Sequence, residues 1–139
     1  MKSISIAGTQ APAIIQGCMR IDAMSVNELE ELIHQDLKLG INFFDHADIY
    51  GKGVCEELFG KVLKAQPSLR KDMLIQSKCG IHRSETTHYD FSRDYILRCV
   101  DASLERLQCG YLDYLLLHRP DALMDPLEVA QAFDALYTS

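Results

Sequence analysis

The chain has 139 residues, of which 47% are hydrophobic and 24% are charged, a balance that is typical of a single globular domain with a sizeable core. Its net charge of -6 argues against binding to nucleic acid or to an anionic membrane, because both partners select basic surfaces. No stretch approaches the roughly 20 apolar residues of a membrane span, and residues 1–10 lack the apolar run of a signal peptide.

The five cysteines are odd in number and widely spaced, and no two of them form a C-x-x-C pair. They are Cys18, Cys55, Cys79, Cys99 and Cys109. This usage argues against a disulfide framework and predicts reduced thiols in a cytoplasmic protein. We interpret Cys79 as a buried, inert thiol rather than a reactive one.

Apolar strand-like runs alternate with longer helical runs along the chain. Strands are predicted at residues 13–17, 41–45 and 73–78, and a fourth strand is predicted within residues 111–118. The first predicted helix runs from the capping box of Ser25 and Glu28 to Gly40, and the second covers residues 55–64. The third runs from the cap Ser92 to Leu107, and the fourth follows the cap Asp125. Residues 3–7 are expected to form part of a hairpin, and residues 80–91 a long polar loop.

This alternation predicts parallel strands joined by right-handed crossovers. The predicted strand ends lie near Gly17, Asp45, Lys78 and His118, at intervals close to the roughly 31 residues that a (β/α)8 barrel spends on each unit. The expected fold class is therefore α/β, a parallel (β/α)8 TIM-barrel type of which this chain supplies about the first four βα units. Residues 1–139 are expected to be the N-terminal half of such a barrel.

Three polar, titratable residues follow three successive apolar strands. They are Asp45, Lys78 and His118. Catalytic groups of parallel α/β folds sit at the carboxyl ends of the strands, so we expect these side chains to share one cleft. Three chemically complementary groups at equivalent positions indicate a functional site more strongly than any one of them alone.

Tyr50 lies five residues after Asp45, in the loop that should fold over the same edge of the sheet. A tyrosine hydroxyl holds its proton tightly near neutral pH, and a nearby ammonium such as Lys78 favours its ionised form. Asp45 could pair with Lys78, and His118 could orient a carbonyl oxygen. The Tyr50 hydroxyl is expected within hydrogen-bonding reach of Lys78 or His118, as a general acid with tuning partners.

Four segments around these residues form motifs in a fixed order. Residues 45–51 read Asp-His-Ala-Asp-Ile-Tyr-Gly, residues 77–79 read Ser-Lys-Cys, and residues 115–121 read Leu-Leu-Leu-His-Arg-Pro-Asp. Residues 40–45 form the apolar strand before the first of these segments. Together they resemble the aldo-keto reductase family, with its D-x-A-x-x-Y-G signature, its third-strand lysine and its fourth-strand histidine. The resemblance covers essentially the whole chain.

This resemblance implies an oxidoreductase that transfers hydride from NADPH, or from NADH, to the carbonyl of a small aldehyde or ketone. It implies that Tyr50 is the proton donor and that Lys78 and Asp45 tune it. It also implies that His118 positions the carbonyl.

The resemblance further implies cofactor contacts at the end of the first barrel strand. Gly17, Met19 and Arg20 belong to a segment similar to the one that lies beside the cofactor in the family. Asp45 matches the residue that touches the nicotinamide ribose.

The chain departs from the family in length, since the family has eight βα units and this sequence has about four. In the family, the later strands supply most of the cofactor contacts. The interior-facing residues Ile14, Phe43, Leu74 and Leu116 would therefore lack an opposite wall. We expect the chain to self-associate or to need a missing barrel half, and to bind NADPH weakly.

Two alternatives remain beside the enzyme. The chain could be a truncated product, or a non-catalytic barrel relative that binds nicotinamide or a protein partner as a subunit. Four intact catalytic groups favour the enzyme, because a pure scaffold has no chemical need for them.

Two other patterns predict little. The histidines lack ligand-like spacing, so no metal site is predicted. Residues 51–53 read Gly-Lys-Gly, the start of a dinucleotide fingerprint, but Glu56 occupies the place of its third glycine.

Overall fold

The computed structural model describes residues 1–83 and 85–139. The strands are β1 Ser3–Ile6, β2 Thr9–Pro12, β3 Gln16–Gly17, β4 Phe43–Asp45, β5 Leu74–Cys79, β6 Ile81–Arg83, β7 Thr87–Tyr89 and β8 Tyr114–Leu117. The helices are α1 Val26–Leu39, α2 Val54–Ala65, α3 Arg93–Leu107 and α4 Pro126–Thr138, with short 3-10 turns at Ile21–Ala23, Tyr50–Gly53 and Pro67–Asp72. Within these two ranges, no helix has both the length and the apolar character that crossing a membrane requires.

The central sheet has the strand order β3-β4-β5-β8, and every neighbouring pair is parallel. A helix follows each of its strands. The predicted sequential, parallel βα arrangement is therefore confirmed. The carboxyl ends of β4, β5 and β8 consequently lie along one edge of the sheet, where the chemistry of such folds is found.

Helix α1 begins and ends as its sequence predicts. Ser25 Oγ accepts the Glu28 amide at 3.3 Å, and the Ser25 amide donates to the Glu28 carboxylate at 2.7 Å, which completes the capping box. Gly40 ends the helix with φ of 80°, a left-handed conformation that glycine adopts without steric cost.

One face of the sheet is covered by helices. Along β5, Ile75, Ser77 and Cys79 are buried and alternate with half-buried residues, so they share this face. Phe44 of β4 packs against Phe59 of α2 with ring centroids 5.2 Å apart. The main core cluster lies here, between the sheet and helices α1 and α2. Its fully buried side chains include Leu29, Ile33, Phe44, Phe59, Val62, Ile75 and Leu107.

The opposite face is covered only near its base. Phe43 stacks on Tyr114 at 5.2 Å, and the Tyr114 hydroxyl donates to the Ile6 carbonyl at 3.0 Å, which joins the β1–β2 hairpin to this face. Phe43 is consequently 1% exposed, and the expectation that it lacks cover is wrong. Ile14 and Leu116 are exposed, as expected, at 55% and 42%.

Two predicted strands begin later than the sequence suggests, for local hydrogen-bonding reasons. The amide of Ala13 donates to the Lys2 carbonyl at 2.8 Å and so extends the β1–β2 hairpin, which leaves only two residues for β3. The amide of Ile41 donates to the Asp36 carbonyl at 2.8 Å and closes the end of α1, so β4 begins at Phe43.

The predicted polar loop at residues 80–91 contains an antiparallel hairpin, which the sequence analysis missed. Strands β6 and β7 pair Ile81 with Tyr89 and His82 with His88. The strands have three residues each and few apolar side chains, so no hydrophobic alternation marks them. Ser84, in the same predicted loop, lies outside the described residues.

Candidate active site

The carboxyl ends of three neighbouring strands bring together Asp45, Lys78 and His118. Asp45 is the last residue of β4, Lys78 lies near the end of β5, and His118 directly follows β8. The His118 amide donates to the Cys79 carbonyl at 2.8 Å, which continues the β5–β8 ladder and fixes the histidine beside β5. The structure thus places all three at one edge of the sheet.

The ammonium of Lys78 has three N–H donors, and its acceptors come from three residues. It lies 2.8 and 2.9 Å from the two carboxylate oxygens of Asp45, 2.8 Å from the His46 carbonyl and 3.0 Å from the Tyr50 hydroxyl. The Lys78 side chain is 13% exposed, so this ion pair is only weakly screened by solvent. Lys78 is therefore held in one orientation, with one donor directed at Tyr50.

Asp45 has a second partner that the sequence analysis did not identify. The side-chain amide of Gln76 donates to the Asp45 carboxylate, and the two residues are directly paired in the β4–β5 register. Gln76 precedes Lys78 by two residues, so both project from the same face of β5. That two-residue spacing before the lysine is the signal by which Gln76 could have been found.

Tyr50 reaches Lys78 because the chain makes a left-handed turn directly after it. Gly51, Lys52 and Gly53 have φ of 56°, 58° and 95°. A Cβ at Gly51 would lie 3.2 Å from the Cβ of Asp22 and 3.2 Å from the sulfur of Cys55. The first glycine of the Gly-Lys-Gly segment thus serves a tight turn beside the site, with no sign of a dinucleotide loop.

His118 faces Tyr50 across the site, with ring centroids 5.8 Å apart and planes at 83°. Burial lowers the pKa of His118, and the positive charges of Lys78, Arg119 and Arg83 lower it further, against the opposing effect of Asp45. Its Nδ1 atom is buried and finds no hydrogen-bond partner in the described part of the chain. The ring is therefore neutral near physiological pH.

His46, the residue after Asp45, is part of the core. Its side chain is fully buried, and its ring meets the Phe59 ring edge-on, with centroids 4.6 Å apart. Burial lowers the pKa of His46 to about 3, and the nearby Lys78 contributes to this shift. The imidazole is neutral, and the residue contributes to the site through its backbone carbonyl alone.

The predicted cofactor segment lies beside Asp45 on the edge strand β3. Gly17 is paired in register with Asp45, and the Cys18 amide donates to the Asp45 carbonyl at 2.9 Å. The space above Gly17 is open, since a Cβ there would meet no atom within 4 Å. Met19 and Arg20, which follow, are exposed. These residues fit the nicotinamide end of a cofactor, which needs a flat, open surface beside the reacting groups.

A buried charged network behind the site was also missed by the sequence analysis. Glu56 is fully buried and accepts hydrogen bonds from Ser77 Oγ at 2.6 Å and from the Arg106 guanidinium at 2.8 Å. Arg106 also donates to Ser103 Oγ at 3.1 Å. The network joins β5, α2 and α3, so it holds the strand that carries Lys78 against its helices. A glutamate within an apolar helix face is a signal that could have singled out Glu56, although not its partners.

Two weaker expectations concern metal binding and Cys79. Among residues 1–83 and 85–139, no group of three or more His, Cys, Asp or Glu side chains is placed to hold a metal ion. Cys79 is 2% exposed, and its contact with Cys99 together with burial raises its pKa. The predicted burial of Cys79 is confirmed, and its low reactivity stays a prediction that the raised pKa favours.

Comparison with known proteins identifies one family. The model of the Aldo/keto reductase family matches residues 13–139. The chain is 42% identical over 151 residues to "Uncharacterized oxidoreductase YcsN" of Bacillus subtilis (strain 168), covering 100% of this chain and 50% of that protein. It is 48% identical over 121 residues to "Oxidoreductase YdhF" of Escherichia coli (strain K12), covering 84% of this chain and 41% of that protein.

A solved structure shows the same fold. The chain superposes on the aldo-keto reductase AKR11C1 from Bacillus halodurans (holo form) with a TM-score of 0.82 and 31% sequence identity. The match covers 99% of this chain and 47% of that one. The predicted fold class is therefore confirmed, with about four βα units of the (β/α)8 barrel type. The chain spans about half the length of the relatives it matches.

Proposed function

The chain belongs to the aldo/keto reductase family of oxidoreductases, and we propose that, within a full barrel, it carries the catalytic groups that reduce the carbonyl of an aldehyde or ketone. Residues 1–139 form the N-terminal half of that barrel in this proposal. The observation that carries it is the Lys78 ammonium, which is paired with Asp45 and lies 3.0 Å from the Tyr50 hydroxyl.

Tyr50 is proposed to donate the proton to the carbonyl oxygen. Loss of a proton from its hydroxyl leaves a phenolate, and the ammonium of Lys78 at 3.0 Å stabilises that negative charge. Asp45 and the His46 carbonyl hold the ammonium in place through contacts of 2.8 to 2.9 Å. Lys78 and Asp45 therefore act by tuning and orienting, while Tyr50 exchanges the proton.

His118 is proposed to position the substrate carbonyl. Its lowered pKa keeps the ring neutral, and a neutral imidazole has a single N–H donor. Because Nδ1 is buried and finds no partner among the described residues, we place the proton on Nε2. From there the ring can donate to a carbonyl oxygen that also meets the Tyr50 hydroxyl, since the two rings face each other at 5.8 Å.

A reduced nicotinamide, NADPH or alternatively NADH, supplies the hydride when it is bound. We propose that Gly17, Met19 and Arg20 contact it beside Asp45. The open space above Gly17 and the parallel pairing of Gly17 with Asp45 support this assignment, because they leave room for a flat ring next to the proton donor. The rest of the cofactor contacts would come from the other barrel half.

The test is the substitution Tyr50→Phe in a full-length barrel that contains this chain. The phenyl ring keeps the packing and removes the proton donor, so carbonyl reduction should fall by about 10²–10⁴ while cofactor affinity stays nearly unchanged. Reduction is followed by the absorbance of the nicotinamide with a panel of aldehydes and ketones, and affinity by its fluorescence.

A matched control is Tyr111→Phe, which removes the same hydroxyl from a residue that is 53% exposed and lies before β8. That variant should keep the wild-type rate. Wild-type turnover in Tyr50→Phe would show that another group donates the proton and would overturn the assignment.

A further inference from the structure

A large cleft lies beside the turn that follows Tyr50. It has a volume of about 920 Å³ and is bounded by the turn before α2, by the β6–β7 hairpin and by α3. Asp45, Tyr50, Lys78 and His118 do not line it. The family assignment and the proposed reaction leave this cleft without a role.

The cleft is strongly cationic in a chain whose net charge is -6. Its walls carry Lys52 from the turn, Arg83 from the hairpin, and Arg98 and Arg106 from α3. Arg106 is neutralised by the buried Glu56 at 2.7 Å. The other three make no ion pair with any described residue. Three cations that lack an ion pair therefore converge on one concave surface, although the charge of Arg98 also helps to lower the pKa of Asp90.

Among the described residues that line the cleft, Asp48 is the only acidic one. Burial and the neighbouring Glu56 raise the pKa of Asp48 to about 6, against the opposing effect of Arg106. Its Oδ1 atom is buried and has no hydrogen-bond partner in the described ranges. Asp48 thus balances at most one of the cations.

Aromatic rings fix the wall that carries Arg83. His82 of the hairpin stacks on Tyr95 of α3 at 5.3 Å with planes at 30°, and it also contacts the His88 ring at 4.6 Å. Arg98 lies over the Tyr95 ring at 5.9 Å. These contacts hold the hairpin against α3, so the cationic groups are presented from a preformed wall with a flat aromatic surface beside them.

We propose that this cleft binds the phosphate group of a small phosphate monoester. A phosphate monoester carries close to two negative charges and three acceptor oxygens. It therefore complements three unpaired cations better than a carboxylate ligand, which carries one negative charge. Two of the three are arginines, whose planar guanidinium groups bind phosphate through paired hydrogen bonds. The rings of His82 and Tyr95 give a planar part of the same molecule a surface to contact.

The test uses phenyl phosphate as the probe, with benzoate as the carboxylate of similar shape. Each is titrated into the 139-residue chain at constant ionic strength by calorimetry. The variant Lys52→Gln/Arg98→Gln removes two exposed cations of the cleft. The control Lys2→Gln/Lys71→Gln removes two exposed cations elsewhere and changes the net charge equally.

Phenyl phosphate should bind saturably and more tightly than benzoate. The cleft variant should weaken phenyl phosphate binding by about tenfold or more, and the control by less than about twofold. Absence of saturable binding, equal losses in both double variants, or benzoate binding as tight as phenyl phosphate would each overturn the proposal. Circular dichroism checks folding, and the single variants Lys52→Gln and Arg98→Gln give the same comparison if the double variant is unfolded.

Discussion

The two faces of the sheet β3-β4-β5-β8 differ in what covers them and in what they carry. On the helix-covered face, Phe44 and Ile75 are 1% and 0% exposed. On the opposite face, Leu116 is 42% exposed and Lys78 is oriented by polar partners. Because side chains alternate along a strand, β5 contributes Ile75 to the core and Lys78 to the site from the same six residues. The main core cluster therefore lies on one face of the sheet and the candidate site on the other.

The largest effect is expected from Lys78→Met on the polar face. This change removes the ammonium that contacts both Asp45 and the Tyr50 hydroxyl while keeping the aliphatic stem. The reduction rate of a full-length barrel containing this chain should fall by about 10²–10⁴, because the charge formed on Tyr50 loses its stabilising partner. Lys71→Met, at an exposed lysine, is the control and should keep the wild-type rate. An undiminished rate in Lys78→Met would contradict the proposed role.

The next largest effect is the difference in stability loss between side-chain truncations on the two faces of the sheet. Phe59→Ala removes a ring that is fully buried against Phe44 and His46, so the free energy of unfolding should fall by about 3–5 kcal/mol. Leu116→Ala, at a half-exposed position, should cost less than about 1 kcal/mol. Urea unfolding of both variants measures the contrast, and equal losses would show that the faces do not differ as described.

A smaller, pH-dependent effect is expected from the buried His46. Its pKa is lowered to about 3, so below its ordinary value of 6.5 the unfolded chain binds a proton that the folded chain does not. The contribution of His46 to the free energy of unfolding is therefore full above pH 6.5. It is lost as the pH falls from 6.5 towards about 3.

The variant His46→Leu isolates this effect from the other titrating groups. Relative to it, the wild type should lose stability by about 1.4 kcal/mol for each pH unit below the ordinary histidine pKa. The difference between the two should stay constant above that value. Urea unfolding at about pH 7 and about pH 5 tests this, and a difference that does not change with pH would contradict the buried, neutral state.

The smallest effect concerns association of the 139-residue chain. In the described residues β3 and β8 are the outer strands of the sheet, and Leu116 beside this edge is exposed. Unpaired strands recruit other chains, so size-exclusion chromatography should show self-association. Leu116→Lys should weaken it by about tenfold, since a lysine on an exposed strand opposes edge pairing.

The isolated chain should also bind NADPH weakly, because it has only the nicotinamide end of the proposed cofactor site. A fluorescence titration with NADPH measures this. A stable monomer that binds NADPH tightly would contradict both expectations and would make the four βα units a functional whole.

The parts of the fold that sequence predicts well are those with local causes. The Ser25–Glu28 capping box, the left-handed Gly40 and the helix faces follow from short-range rules and appear as predicted. The late start of β4 does not, because it depends on which carbonyl the Ile41 amide finds at the end of α1. The cover over Phe43 depends on the hairpin carbonyl of Ile6, which is distant in sequence from its partner Tyr114.

The same distinction between local and long-range causes applies to the candidate site. Asp45, Lys78 and His118 are visible in the sequence because each follows an apolar strand, and the structure brings them together with Tyr50. The role of Glu56 is hidden, because its partners Ser77 and Arg106 lie 21 and 50 residues away. Long-range pairing of buried charges leaves no periodic pattern in one sequence.

The order of the strands has a consequence for how the chain is made. Every strand of the central sheet pairs with the sheet strand that precedes it in sequence, and both hairpins pair adjacent strands. During synthesis at about 5–20 residues per second, each later strand leaves the ribosome with its partner already present, and the entropic cost of closing the loop between two strands grows only slowly with its length. The chain can thus build its sheet from the amino end, one βα unit at a time, and among the described strands the first one, β3, keeps one edge unpaired.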